Sequence, residues 1–178
     1  MYHSITIAVK DPVPAREIRL FDFSTPEALR KWSTFSDAAI GGQSTASLEP
    51  STSYPDGQDR LSLDEYDTLK FRVFGDGRKY LASIRTENWI IGDATSADVF
   101  QAFLFARKNE WSEVEIPMSR FLLTHKGRLV ETHVEMNRAR IVSFGLALAT
   151  GDAEPEGPYS LGLDWIAAVD SRRLDVEE

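Results

Sequence analysis

Residues Tyr66–Tyr80 read YDTLKFRVFGDGRKY, and this stretch decides the fold class. Leu69, Phe71 and Val73 alternate with Lys70, Arg72 and Phe74. A period of two, with one face apolar, is the signature of a half-buried strand. Gly75-Asp76-Gly77-Arg78 then breaks the run, and Lys79–Arg85 resumes as a second strand. Asp-Gly tolerates the positive φ angles of a tight turn, so the spacing predicts a β-hairpin here.

The same pattern recurs on both sides. Glu17–Phe23 alternates, with Ile18, Leu20 and Asp22 on one side. Further strands are predicted over Val99–Ala106, Trp111–Ile116, Ile141–Ala149 and Tyr159–Val169. In the last, Tyr159, Leu161, Leu163 and Trp165 share a face; in the one before, Val142, Phe144, Leu146 and Leu148 do. Ser24-Thr25-Pro26-Glu27 is a helix-start signal, because the Ser hydroxyl can cap the Glu27 amide and Pro26 suits a first turn. That helix is short and ends near Trp32. Glu49–Asp64 is polar, rich in Ser, Pro and Asp, and reads as a loop. Short strands set apart by turn residues, without long helices between them, predict an all-β antiparallel sandwich or barrel with one short helix near the N-terminus. The expected layout is an N-terminal tail over 1–16, one β domain over 17–170 and a C-terminal tail over 171–178.

The 178 residues carry a formal net charge of −8. A nucleic-acid binder needs Lys and Arg to replace counterions along the phosphates, and no basic run interleaved with aromatics occurs. There is no cysteine, which excludes disulfides, thiolate metal sites and Cys nucleophiles. No apolar stretch approaches the roughly 20 residues that span a bilayer as a helix. Met1–Arg16 reads neither as a secretory signal nor as an Arg- and Ser-rich transit peptide.

Catalytic constellations are scarce. His3, His125 and His133 lack the helical or hairpin spacing of a metal site and read as surface histidines. Asp64, Glu65 and Asp67, like Asp152, Glu154 and Glu156, offer oxygen ligands for calcium but lack the Gly-punctuated spacing of a calcium loop. Both groups are expected to be solvated acidic loops. Gly75-Asp76-Gly77 lacks the third glycine and following helix of a dinucleotide fingerprint. No catalytic, metal or cofactor residue is assigned.

Five residues stand out as candidates for binding another protein. Arg72, Arg78 and Arg85 flank the Gly-Asp-Gly turn; if they converge, they form a cationic patch suited to capturing carboxylates. The simpler reading is outward polar residues on a half-solvated sheet. Trp89 and Trp111, if exposed, are interface anchors or sugar-stacking platforms; if buried, they are core.

Taken in order, several segments resemble the complex I intermediate-associated protein 30 family. They are Phe21-Asp22-Phe23, Trp32, Asp37–Ser44 (DAAIGGQS), Tyr66–Tyr80, Trp111–Phe121 (WSEVEIPMSRF), Gly127-Arg128, Ile141–Leu148 (IVSFGLAL) and Gly157–Ile166 (GPYSLGLDWI). The resemblance implies a galactose-binding-like jelly roll. It also implies a non-catalytic assembly factor, a chaperone for subunits or intermediates of respiratory complex I. Such a factor would work on the matrix side of the mitochondrial inner membrane, with possible peripheral membrane association; a cytoplasmic location is the alternative address. Its partners are proteins, including other assembly factors, and no cofactor is implied. Galactose-binding-like sandwiches also bind sugars, so a carbohydrate-binding module using Trp89, Trp111 and Tyr159 is the rival expectation. One departure stands out. Family members carry two further strand motifs between the Gly-Gly-x-Ser segment and the Tyr66 strand, where this chain has only the Glu49–Asp64 loop. Either the fold closes differently, or the sequence is a shortened product of the parent gene. Loss of adjacent strands would open a sheet edge and uncover inward-facing apolar groups.

Overall fold

The computed structural model describes residues 16–24, 32, 61–87, 98–125, 127–131, 134–149 and 157–172. The helix predicted to end near Trp32, the Asp37–Ser44 segment, Trp89, His3, His133 and the Asp152–Glu156 acids lie outside them.

Among the described residues nine strands follow one another: β1 (Arg16–Asp22), β2 (Thr68–Phe74), β3 (Lys79–Thr86), β4 (Asp98–Phe105), β5 (Trp111–Pro117), β6 (Leu122–His125), β7 (Arg128–Leu129), β8 (Ile141–Leu148) and β9 (Gly162–Asp170). They form a four-stranded sheet in the order β1-β9-β2-β5 and a five-stranded sheet in the order β7-β6-β4-β3-β8. All the ladders within both sheets are antiparallel. The all-β sandwich expected from the alternation is therefore the observed fold. Leu69, Phe71, Val73, Ile116, Ile166 and Ala168 of one sheet share a buried cluster with Tyr80, Ala82, Ile84, Phe100, Ala102 and Leu104 of the other. Burying such side chains contributes about 25 cal/mol for each Å² removed from water, and this is the main force holding the two layers together.

The predicted β2–β3 hairpin is not formed. β2 pairs with β5 and β9, and β3 pairs with β4 and β8, so Gly75–Arg78 carries the chain from one sheet to the other. Crowding fixes this corner. A Cβ on Gly75 would lie 2.5 Å from Ala106 Cβ and 2.7 Å from the Arg107 carbonyl oxygen, and Gly77 has φ +89°. Asp76 ties the corner together. Its Oδ1 accepts from the Arg78 amide (2.9 Å), and its Oδ2 accepts from the Ser160 amide (2.8 Å) and the Tyr80 hydroxyl (3.0 Å). Burial pushes the Asp76 pKa up, but these donors outweigh it and hold it below the ordinary value. The same contact, together with burial, raises that of Tyr80.

β-Bulges correct three of the predicted faces, because one extra residue reverses the alternation beyond it. A register shift between Arg19 and Phe21 turns Phe21 inward, opposite Ile166, where Asp22 was expected. A shift between Arg72 and Val73 is matched by the unpaired Asp164, so Leu163 pairs with inward Val73 while Trp165 pairs with outward Arg72. A third, between Arg85 and Thr86, brings Ile141 into the core in place of Val142.

The acidic stretch before β2 is also more than a solvated loop. Leu63 and Tyr66 are buried, and Leu61 exchanges backbone hydrogen bonds with Ile141. Asp67 accepts from the amide and hydroxyl of Ser171, which hold its pKa low against the opposing effect of burial. Glu65 pairs with Arg16. Beyond Leu61, β8 is the terminal strand of its sheet among the described residues, and Phe144, Leu146 and Leu148 are only partly buried.

Candidate functional site

The two outer faces of the sandwich differ in chemistry. On the four-stranded sheet the charges are neutralised from within. Lys70 Nζ lies 2.9 Å from Glu113, 3.7 Å from Glu115 and 3.9 Å from Glu17. The hydrogen bond that the Lys70 ammonium donates to Glu113 holds its pKa above the ordinary lysine value. Arg72 stands 3.0 Å from Asp164 and 3.7 Å from Glu113. The Arg19 guanidinium stacks 3.8 Å from the Trp165 ring centroid. Trp111 leans on Phe74, with centroids 5.7 Å apart and planes at 59°, and the Arg72 guanidinium is 5.8 Å from its centroid. Gly162 makes room for this pair, since a Cβ there would approach Phe74 Cβ to 3.0 Å.

The five-stranded sheet presents the opposite chemistry. Its ladder registers place Lys79, Leu81, Ser83 and Arg85 of β3 in one outward row. Phe105, Phe103, Gln101 and Val99 of β4 stand beside them, followed by Leu122 and Thr124 of β6 and Leu129 of β7. Phe103, Phe105, Leu122 and Leu129 leave 56%, 59%, 50% and 59% of their surface in water. The two Phe rings lie 5.9 Å apart, and the four side chains follow a diagonal from β4 to β7. A polar ladder crosses the same face. Gln101 Nε2 donates to Ser83 Oγ (3.2 Å), and Thr124 Oγ1 donates to Gln101 Oε1 (2.9 Å). Ser83, Gln101 and Thr124 are thus satisfied among themselves, while Phe103, Phe105, Leu122 and Leu129 are left largely to water. An exposed apolar strip rimmed by polar groups is the hallmark of an interaction surface.

The sequence candidates do not gather at one place. Arg72 and Trp111 meet on the outer face of the four-stranded sheet. Arg78 sits at the inter-sheet corner, its guanidinium directed toward Gly157. Arg85 is on the outward row of β3, on the other sheet. The single cationic patch expected if they converge is therefore not built. Sequence reasoning missed Phe103, Phe105, Leu122 and Leu129. The signal was present in VFQAFLF, where both alternating rows of β4 carry large apolar residues and only one row can face the core. His125 also differs from a plain surface histidine, with Nδ1 2.6 Å from the nearly buried Asp98 carboxylate. Among the described residues no group of three His, Cys, Asp or Glu side chains could hold a metal.

The family model described as complex I intermediate-associated protein 30 matches residues 50–163, well over half of the chain. The chain belongs to the complex I intermediate-associated protein 30 family. It is similar to the mitochondrial proteins of that name from three organisms. With the Drosophila melanogaster protein it is 28% identical over 196 residues, covering 88% of this chain and 65% of the relative. With the Mus musculus protein it is 29% identical over 183 residues, covering 83% and 54%. With the Neurospora crassa protein it is 25% identical over 213 residues, covering 86% and 73%. The chain thus spans less than two-thirds of the fly and mouse proteins. The resemblance read from Phe21-Asp22-Phe23 through GPYSLGLDWI is a true family relationship, and 196 aligned positions that take in 88% of 178 residues mean that the fly protein carries residues with no counterpart here.

Proposed function

We propose that this chain is a non-catalytic assembly factor that binds subunits or intermediates of mitochondrial respiratory complex I, and that it does so with the outer face of its five-stranded sheet. Family membership supports the process, since the relatives are named for association with complex I intermediates and as mitochondrial proteins. The observation that supports the mode of action is the strip Phe105–Phe103–Leu122–Leu129, held on regular strands and exposed to water. Aromatic anchors that lose their water at the centre of a contact carry most of its energy, and a polar rim sets register. Arg85 belongs to this rim, while Arg72 and Trp111 offer a separate contact region on the opposite sheet. The working place on this reading is the matrix side of the inner membrane. No helix among the described residues is long and apolar enough to cross a membrane.

The test is genetic and biochemical together. Deleting the gene is expected to lower mature complex I and leave partial assemblies on a native gel, and the tagged chain is expected to recover those partial assemblies from mitochondria. Unaltered complex I in the deletion strain would refute the assembly role.

A further inference from the structure

We infer that the outer edge of β8 pairs with β8 of a second copy of this chain, antiparallel about a twofold axis at Gly145, so that two five-stranded sheets join into one. The inference is independent of the assembly reading, which uses the outer face of that sheet and not its edge. Among the described residues four strands end the two sheets: β1 and β5 of one, β7 and β8 of the other. An exposed edge invites pairing with another chain, and proteins blunt it with charge, proline or brevity. β1 (REIRLFD) carries Arg16, Glu17, Arg19 and Asp22. β5 (WSEVEIP) carries Glu113 and Glu115 and ends on Pro117. β7 has only two residues. β8 has eight, IVSFGLAL, with neither a charge nor a proline. Of these four edges, it is the unguarded one.

Backbone direction fixes what that edge offers. The Ala149 amide donates to the Lys79 carbonyl (3.0 Å), and successive residues of an antiparallel strand direct their backbone groups to alternate sides. Ser143, Gly145 and Ala147 therefore turn theirs to β3, while Phe144, Leu146 and Leu148 turn theirs away from it. Side chains divide the same way. Phe144, Leu146 and Leu148 stand opposite the buried Ile84, Ala82 and Tyr80 and point inward. Ser143, Gly145 and Ala147 stand opposite Arg85, Ser83 and Leu81 and point outward. At the start of the strand, Ile141 exchanges backbone bonds with Leu61 (3.3 and 3.0 Å), which limits an added strand to Val142–Leu148.

That stretch, VSFGLAL, matches itself when reversed. Gly145 meets Gly145 of the second copy, Phe144 meets Leu146, Ser143 meets Ala147 and Val142 meets Leu148. Small residues face small ones, large face large, and no like charges are brought together. Phe144 and Leu146 become hydrogen-bonded pairs, as their backbone direction requires, and the closest approach of the two chains falls at the residue without a side chain. Phe144 and Leu146, only partly buried in one chain, complete their cover. A charged partner strand would find no countercharge on β8. A twofold contact closes on itself, so the product is a dimer and not a fibre.

Sedimentation velocity of the full chain over a range of concentrations is expected to show a monomer–dimer equilibrium. Ser143→Glu with Ala147→Glu sets like charges opposite each other on both sides of the axis and should weaken association at least about tenfold. Ser143→Glu with Ala147→Lys makes the same pairs opposite in sign and should restore it to within about threefold of wild type. Both variants change only outward positions, and circular dichroism with thermal melts checks that they keep the fold. The chain has no cysteine, so Gly145→Cys supplies a single thiol. A Cβ there has room, with Ser83 Cβ at 3.6 Å, and oxidation should link two chains, because facing residues of such a pair stand at disulfide distance. A wild-type monomer at every concentration would overturn the inference. So would a dimer that the Glu-Glu variant leaves intact, or one that Gly145→Cys fails to cross-link. If wild type is monomeric yet the Glu-Glu variant abolishes recovery of complex I assemblies, the edge takes a strand of a partner; the second copy is refuted and the assembly reading stands.

Discussion

Replacing Asp76 with alanine tests how the two sheets are joined. The substitution removes three hydrogen bonds to a partly buried carboxylate: from the Arg78 amide at 2.9 Å, the Ser160 amide at 2.8 Å and the Tyr80 hydroxyl at 3.0 Å. Tyr80 is 2% exposed, so its hydroxyl is left without this acceptor in a place poor in water. Hydrogen bonds to charged groups contribute about 1.5–3 kcal/mol each when measured singly, and they are not additive at a shared acceptor. A total near 3 kcal/mol follows, which lowers Tm by about 6–12 °C for a chain of this size. The pH dependence carries a second signature. The pKa of Asp76 is depressed in the folded state, so its stabilisation is fully present above the unfolded value near 3.8 and is lost as pH falls through the lower folded value. Wild type should therefore lose stability below pH 4 more steeply than Asp76→Ala. Thermal melts followed by circular dichroism at pH 7 and at pH 3 check both points. Tyr80→Phe should make a subsequent Asp76→Ala less costly, since the two groups share one bond. A Tm change below about 2 °C at pH 7, or the same acid dependence in mutant and wild type, would refute the reasoning.

Other outcomes follow from packing. Gly75→Ala forces a Cβ to within 2.5 Å of Ala106 Cβ and 2.7 Å of a backbone oxygen, where no flexible side chain can yield, and should cost about 3 kcal/mol in urea unfolding. Leu63→Ala opens a cavity at a residue with no exposed surface and should cost about 2–5 kcal/mol by the same measurement, against almost nothing if the stretch before β2 were a solvated loop. Arg72→Ala removes half-exposed ion pairs and should change stability by less than about 1 kcal/mol.

Much of the fold was legible because alternation reports directly on which face meets water. Seven strands, from Glu17–Phe23 to Tyr159–Val169, lie where the pattern puts them. β6 and β7 were hidden: both are short, β7 lies at the edge of its sheet, and LLTH carries no clear alternation. Partnering was less visible than strand formation. Asp-Gly is equally at home in a hairpin and in a corner between sheets, and only the crowding of Gly75 by Ala106 and Arg107 tells the two apart. The errors at Phe21, Leu163 and Ile141 share one cause. A bulge adds a single residue that leaves no mark in composition, yet it reverses every side chain beyond it.

The candidate surface was not legible in the sequence. Arg and Trp are the residue types that favour interface anchors, but Arg72 spends its charge on Asp164 and Glu113 and lies on a different sheet from Arg85. Which of the two apolar rows in VFQAFLF faces the core depends on the pairing of Ala82 with Ala102 and of Leu81 with Phe103, and that is a three-dimensional fact. Once the register is known, Phe103 and Phe105 fall outside and the candidate surface moves from the four-stranded sheet to the five-stranded one.

The most direct measurement compares wild type with Phe103→Glu, Phe105→Glu in quantitative recovery of partial complex I assemblies from mitochondria, with equal expression and matched melting temperatures. The outward strip being the working surface, recovery should fall at least about tenfold. Full recovery by the folded double variant would contradict that claim.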